Sequence, residues 1–191
     1  TVLYPRFSVG GKYVYYFRDS LWRITDVATG QTVSVSLGAN RPLADKTYDG
    51  AIDAVPSWGS LGIVNGDREF LFYDEYDIWS VTLPALKYKR LTHGREAGIR
   101  FRKMGKESFV WNGSQLLIGK SDSGEIGIYR YSTNGNHIRL LYGRNMYSRL
   151  VWDAKKKSCL FAQEDNTAPP ILYYVLGILV ELKTPFLKTE T

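Results

Sequence analysis

One short phrase recurs four times along the chain, and that recurrence limits the fold more than any other feature. Leu21-Trp22-Arg23-Ile24-Thr25, Ile78-Trp79-Ser80-Val81-Thr82, Ile128-Tyr129-Arg130-Tyr131-Ser132 and Leu172-Tyr173-Tyr174-Val175-Leu176 share one pattern. An aliphatic residue precedes an aromatic one, and a mostly β-prone run follows. The aromatics fall at 22, 79, 129 and 173, at intervals of 57, 50 and 44 residues. Such a period is the mark of a propeller or solenoid, in which each unit buries its faces against the next. Trp22, Trp79, Tyr129 and Tyr173 are therefore expected as core between neighbouring sheets rather than as a ligand platform.

Each repeat parses into short strands. Period-two alternation bounded by Gly, Asp and Ser predicts strands at Lys12–Arg18, Leu21–Asp26 and Gln31–Ser36, with tight turns at Asp19-Ser20 and Ala28-Thr29-Gly30. The second repeat predicts Glu69–Tyr73, Tyr76–Leu83 and Tyr88–Thr92, with Pro84 ending the middle strand for want of an N–H. The third predicts Ile99–Lys103, Ser108–Trp111, Gln115–Lys120, Glu125–Ser132 and His137–Tyr142, with hairpin turns at Asn112-Gly113 and Asn134-Gly135. The fourth predicts Arg149–Asp153, Ser158–Gln163, Ile171–Val175 and Ile178–Lys183.

The expected fold is all-β, a β-propeller of about four blade-like repeats, each a three- to four-stranded antiparallel sheet. The repeats lie at about 7–37, 58–94, 97–143 and 147–184, and the whole of 1–191 is one partial propeller. Between the first two runs the long irregular loop 37–57, with Gly38, Pro42, Gly50 and Pro56, explains the longer first interval; long loops tend to be functional or poorly ordered. Four blades are the bottom of the usual range of about 4–8. An open arc of a larger ring is therefore expected, and it would either self-associate through exposed blade faces or show rearranged terminal strands. A monomeric, fully ordered closed ring of four blades would contradict that arc.

Composition agrees with this and narrows the function. Apolar residues make up 44% and aromatics 14%, with 14 Tyr, 8 Phe and 5 Trp, which suits pleated, packed surfaces and argues against disorder. The formal charge of +6 raises the question of an anionic partner. The basic residues are scattered, however, and the one block, Lys155-Lys156-Lys157, sits in a turn between β-like runs. No nucleic-acid partner is expected. The longest apolar stretch, Ile171–Leu182, is interrupted by Glu181 and is too short to span a bilayer, so no membrane partner is expected. The single Cys159, inside an apolar run, reads as a small buried hydrophobe. The abrupt start and stop suggest a piece of a longer protein.

At Tyr73-Asp74-Glu75-Tyr76-Asp77-Ile78-Trp79 the sequence becomes specific. This run, with its continuation Arg90-Leu91-Thr92-His93-Gly94-Arg95-Glu96, resembles the N-terminal propeller of the prolyl-oligopeptidase family of serine peptidases, above all its large bacterial members. Pro56-Ser57-Trp58-Gly59-Ser60-Leu61-Gly62 is similar to a further stretch of that family, with Ile63 where the family has Trp. The hairpin from Trp22 to Thr29-Gly30 is similar as well. In that family the propeller restricts access to a C-terminal α/β-hydrolase domain that carries the Ser-Asp-His triad. The resemblance implies a periplasmic or secreted address, with that hydrolase domain and peptide substrates as partners.

The chain itself carries no chemistry of that kind. A serine hydrolase of this type needs a Gly-x-Ser-x-Gly elbow between strand and helix. The nearest approach, Gly119-Lys120-Ser121-Asp122-Ser123, lacks the final Gly and sits in a β-turn context. The only histidines, His93 and His137, stand near the ends of outer strands and read as exposed. Asp74, Glu75 and Asp77 could offer oxygens to Ca²⁺. Asp74-Glu75 is also a hairpin turn, where Asp bonds backbone amides, and Asp77 is expected to tie up turn amides at a strand start. Asp122 and Glu125 flank a similar Gly turn. Asn112-Gly113-Ser114 matches a glycosylation sequon and reads as a turn. No catalytic, cofactor-binding or metal residue and no cofactor are assigned. The expected function is a non-catalytic propeller portion of such a peptidase, gating peptides or docking on the hydrolase domain. The alternative is a stand-alone interaction module that binds protein or carbohydrate.

Overall fold

The structure is a computed structural model, and it describes residues 2–51, 55–104, 114–132, 136–153, 158–164, 170–176 and 185–187. Its strands fall into four four-stranded antiparallel sheets, each wound in sequence order. The first holds β1 (Leu3–Phe7), β2 (Tyr13–Arg18), β3 (Leu21–Asp26) and β4 (Thr32–Val35). The second holds β5 (Ser60–Val64), β6 (Glu69–Tyr73), β7 (Ile78–Thr82) and β8 (Tyr88–Arg90). β9 (Ile99–Lys103), β10 (Ser114–Ser121), β11 (Ile126–Ser132) and β12 (His137–Gly143) form the third. β13 (Met146–Asp153), β14 (Ser158–Glu164), β15 (Ile171–Leu176) and β16 (Pro185–Leu187) form the fourth. A four-stranded meander repeated in this way is the blade of a β-propeller, and the fold is all-β as expected. The described residues include one short 3-10 turn, Arg95–Ala97, and no α-helix.

The chain divides into two compact units, Thr1–Arg100 and Phe101–Thr191. In the first, alternation sets the core. Tyr13, Tyr15 and Phe17 of β2 point inward in turn, and so do Trp22 and Ile24 of β3. They pack with Ile63, Phe70, Phe72 and Val81 of the second sheet. Trp22 and Phe70 meet edge-on at 5.4 Å, and Tyr15 lies 5.4 Å from the same Phe70. β6 is buried on both faces, since Leu71 is as enclosed as Phe70 and Phe72. In the second unit, Ile128, Leu141 and Phe161 form a smaller cluster flanked by Tyr147 and Tyr173. Phe101 meets Tyr129 and Tyr131 edge-on, each at 5.1 Å.

Turn chemistry explains the hairpins. Asp19 and Ser20 take φ of +52° and +61°, the left-handed pair that a two-residue type I′ hairpin requires. Asp26 accepts from the amides of Ala28 and Thr29, both at 3.0 Å, and closes the next hairpin. Those bonds, led by the one from Thr29, hold its carboxyl below the usual range.

Three strands, β1, β5 and β16, had no clear sequence signal. β1 carries Pro5, a bulge between Leu3 and Arg6, and Tyr4 at φ +56°. β5 carries a bulge between Ser60 and Gly62. A Cβ on Gly62 would come to 3.0 Å from the Tyr15 hydroxyl, and its φ is +95°. Such irregularities erase the alternation that marks a strand. Some ends also move. β7 begins at Ile78, not Tyr76, because Asp74 N–H bonds the Asp77 carbonyl at 3.0 Å and draws Tyr76 and Asp77 into the turn. β8 stops at Arg90, before Leu91 and Thr92. The turns at Asn112-Gly113 and Asn134-Gly135, the strands Ser108–Trp111 and Ile178–Lys183, and Lys155-Lys156-Lys157 lie outside the described residues.

The 37–57 loop is anchored where it is described. Leu43 is buried in the first core, Ala44 bridges Ser57, and Asp45 N–H donates to the Pro56 carbonyl at 2.7 Å. This brings Arg41 to the turn between β6 and β7.

Candidate functional site

The β6–β7 corner gathers the polar chemistry of the first unit. Asp74 opens the turn and is fully buried. Its Oδ1 accepts from the amides of Tyr76 and Asp77 at 2.8 and 2.6 Å, the Asx arrangement that fixes such a turn. Its Oδ2 accepts from the Trp79 indole N–H at 3.1 Å and faces Arg41 at 3.4 Å and Arg95 at 3.5 Å.

Asp77, also fully buried, does something the turn reading missed. It ties no amide of its own turn; Asp74 does that. Asp77 Oδ1 instead accepts from the Thr92 hydroxyl at 2.9 Å and the Gly94 amide at 2.5 Å. Its Oδ2 accepts from Nε and Nη2 of Arg90 at 3.0 and 2.6 Å. Thr92 Oγ1 in turn accepts from the Ile78 amide at 2.9 Å. A buried carboxylate costs several kcal/mol unless donors surround it, and this set of bonds supplies them.

Arg90 continues the chain outward. Its Nη1 and Nη2 donate to the two oxygens of Glu96 at 2.6 and 2.5 Å, a fork-on-fork pair. Burial works against the Arg90 charge, yet the bond to Glu96 and the charge of Asp77 outweigh it and raise its pKa. The bond from Arg90 also brings the Glu96 carboxyl down to about 2. Glu75 pairs with Arg100 at 3.2 Å. The guanidiniums of Arg95 and Arg100 lie over the Tyr76 ring at 4.8 and 5.0 Å, and Arg41 lies over Trp79 at 5.3 Å.

The acidic run Asp74, Glu75, Asp77 is thus brought together around arginines and amides. Among the described residues no group of His, Cys, Asp or Glu is arranged to hold a metal ion. His93 is exposed, and its charge helps to lower Glu96. His137 stacks on Tyr131 at 5.0 Å in the second unit. Ser121 closes the β10–β11 hairpin, its hydroxyl donating to Glu125 at 2.6 Å, in a strand–turn–strand setting rather than an elbow. Cys159 lies on β14.

The repeated aromatics divide. Trp22 and Tyr129 are buried, and Tyr173 stacks on Phe161 at 5.4 Å. Trp79 packs, partly buried, against the first core and bonds Asp74 with its indole N–H, so it belongs to the site as well. Arg41 and Asp67 carried no sequence signal. Asp67 ties the β1–β2 turn to the β5–β6 turn by accepting from the Ser8 hydroxyl at 2.9 Å and the Lys12 amide at 3.2 Å. Only the Asn65-Gly66-Asp67 turn composition could have marked it.

No family model and no curated protein matches the chain. Solved structures similar to it include regucalcin, a calcium-binding protein from Agrobacterium tumefaciens, at 13% identity and a TM-score of 0.46, over 98% of this chain and 57% of that one. TolB from Acinetobacter baumannii is similar at 17% identity and a TM-score of 0.41, over 92% of this chain and 41% of that one. Porphyromonas gingivalis dipeptidyl peptidase 4 is similar at 14% identity and a TM-score of 0.42, over 92% and 37%. The chain therefore spans roughly two fifths to three fifths of the length of these structures. No helix among the described residues is long and apolar enough to cross a membrane.

Proposed function

We propose that this chain is the non-catalytic propeller portion, an open arc, of a periplasmic or secreted prolyl-oligopeptidase-type serine peptidase. It gates peptide substrates or docks on a C-terminal α/β-hydrolase domain. One observation carries the reading. The two halves of the family-like signature, Tyr73–Trp79 and Arg90–Glu96, are separate in sequence but interlock in space. Asp77 bonds Arg90, Thr92 and Gly94, and Asp74 faces Arg95 across 21 positions. The β7–β8 pairing already sets Trp79 opposite Arg90, and the buried side-chain bonds of Asp77 add to it and hold the two runs as one unit.

The chain carries no nucleophile elbow, so in this reading the triad lies on the hydrolase domain. The test is to read the gene onward in frame and to label both products with a fluorophosphonate probe. A Gly-x-Ser-x-Gly elbow followed by Asp and His is expected, with labelling of the longer protein and none of this chain. An open reading frame without an elbow, or labelling of this chain alone, would sink the proposal.

A second reading, a stand-alone module for protein or carbohydrate, is favoured by Tyr4, Tyr48, Tyr88 and Tyr142, which are exposed by 45, 42, 39 and 41%. Amphipathic rings at the surface suit such binding. Specific capture on a glycan or peptide array by this chain alone would promote it over the first.

A further inference from the structure

Arg41, Arg90, Arg95 and Arg100 all reach the β6–β7 corner, but their donors are spent differently. Arg90 is consumed by Asp77 and Glu96. Arg100 is paired with Glu75. Arg41 and Arg95 both lean on the same oxygen of Asp74, at 3.4 and 3.5 Å, the outer limit of a hydrogen bond. That oxygen already accepts from Trp79, and its partner oxygen is taken by two amides. Two positive charges therefore share one carboxylate whose lone pairs are largely engaged.

Each guanidinium carries five donors. Among the described residues Arg41 spends one and Arg95 spends one, both on these long contacts. Arg95 Nε is buried with no partner among the described residues. Stacking on Trp79 and Tyr76 holds the two planes without using donors. Both side chains still reach solvent, at 27 and 30% exposure. The opposing charge of Asp77 and Glu96 over Arg90 falls partly on Glu96, which is 61% exposed and screened by water. Preset guanidinium forks with spare, solvent-facing donors match the two oxygens of a carboxylate.

We propose that Arg41 and Arg95, stacked on Trp79 and Tyr76, form a subsite for a carboxylate carried by a peptide, at its C-terminus or on an acidic side chain. The subsite rests on the peptide-gating reading only for the source of the carboxylate. Failure of the two can be told apart. A missing elbow downstream would end the peptidase reading and leave the binding result untouched, whereas a failed titration leaves the elbow standing.

The experiment is calorimetric titration of the chain with three probes. They are an acetylated alanine tripeptide with a free C-terminal carboxylate, its C-terminal amide, and the amide with one internal glutamate. The free acid, the glutamate peptide or both should bind at least about tenfold more tightly than the plain amide, as one charged hydrogen-bond pair would give. The preferred one identifies the source. Arg41→Gln and Arg95→Gln should each cost about tenfold or more, and Arg41→Lys and Arg95→Lys should do likewise, since an ammonium has no fork. Lys89→Gln, on the exposed edge of β8, should change nothing. Melting curves of every variant establish that it is folded before it is titrated. Equal binding of all three probes, no binding of any, or Gln and Lys variants that are folded and bind as the parent does, would overturn the proposal.

Discussion

The corner between β6 and β7 and the corner between β10 and β11 occupy the same place in their sheets, the turn between the second and third strands, and both are acidic. They are built on opposite plans. At the β10–β11 corner Glu125 accepts from Ser121 at 2.6 Å and from Ser123, partners within four residues of it, and reaches the distant Tyr142 and Arg144 only at 3.5 and 3.9 Å. At the β6–β7 corner only Asp74 serves the turn. Asp77 is fully buried and takes partners 13, 15 and 17 residues onward. One acid finishes a hairpin, while the other fastens a hairpin to the segment that follows it. A turn carboxylate that serves its own turn can be replaced by other polar groups. One that is buried against a distant arginine is left as an uncompensated charge when that arginine goes.

The largest effect should follow from Asp77→Ala, which leaves Arg90 with Glu96 alone and frees Thr92 and Gly94 together. Breaking a buried pair from one side costs about 3–5 kcal/mol, so the urea midpoint should fall sharply. A loss below about 1 kcal/mol, the usual scale for an ordinary substitution, would mean that the corner is no more than a turn, as at β10–β11.

Thr92→Val is the next step down. It keeps the shape of the side chain but removes the hydroxyl that donates to Asp77 and accepts from the Ile78 amide. Two buried groups then lose a partner, at about 1–3 kcal/mol. Thr82→Val is the matching control. Its Oγ1 accepts only from Lys87 in an exposed turn, and the change should stay within about 0.5 kcal/mol by the same denaturation measurement. Equal losses in the two variants would erase the distinction between a turn and a fastening.

The sequence showed the hairpins and the blade repeat because both are local. Tyr13, Tyr15 and Phe17 alternate, Asp19-Ser20 is a turn by residue type, and the aliphatic–aromatic phrase recurs at each third strand. β1 and β5 stayed hidden because bulges, Pro5 and Gly62 break the alternation that would have marked them. The site was legible in part. Asp74, Asp77 and Trp79 stood out as a run, and Arg90 and Arg95 as its continuation. That Asp77 belongs to the continuation is a matter of distance, which spacing along the chain does not encode. Arg41 comes from a loop without periodicity, 33 positions from Asp74. Trp79 carries the same phrase as the buried Trp22, and only its tertiary neighbours make it a site residue.

The smallest effect separates the two corners by pH. Glu96 is held down to about 2 from 4.5, first by the bond from Arg90. Glu125 is also held down to about 2, first by Ser121 and then by Ser123. A carboxyl whose folded pKa is depressed stabilises the fold above its unfolded pKa, near 4.5. That stability is lost as the pH falls toward about 2. Both groups should therefore steepen the decline of the unfolding midpoint across that window, and Glu96→Gln and Glu125→Gln should each flatten it. The flattening should be greater for Glu96→Gln. Arg90 is aimed at Glu96 because Asp77 holds it in place across the folded sheet. The serines around Glu125 are near neighbours in sequence and remain close to it in the unfolded chain, where part of the same lowering persists. Equal flattening by the two variants would show that the hold of Arg90 on Glu96 owes nothing to the fold.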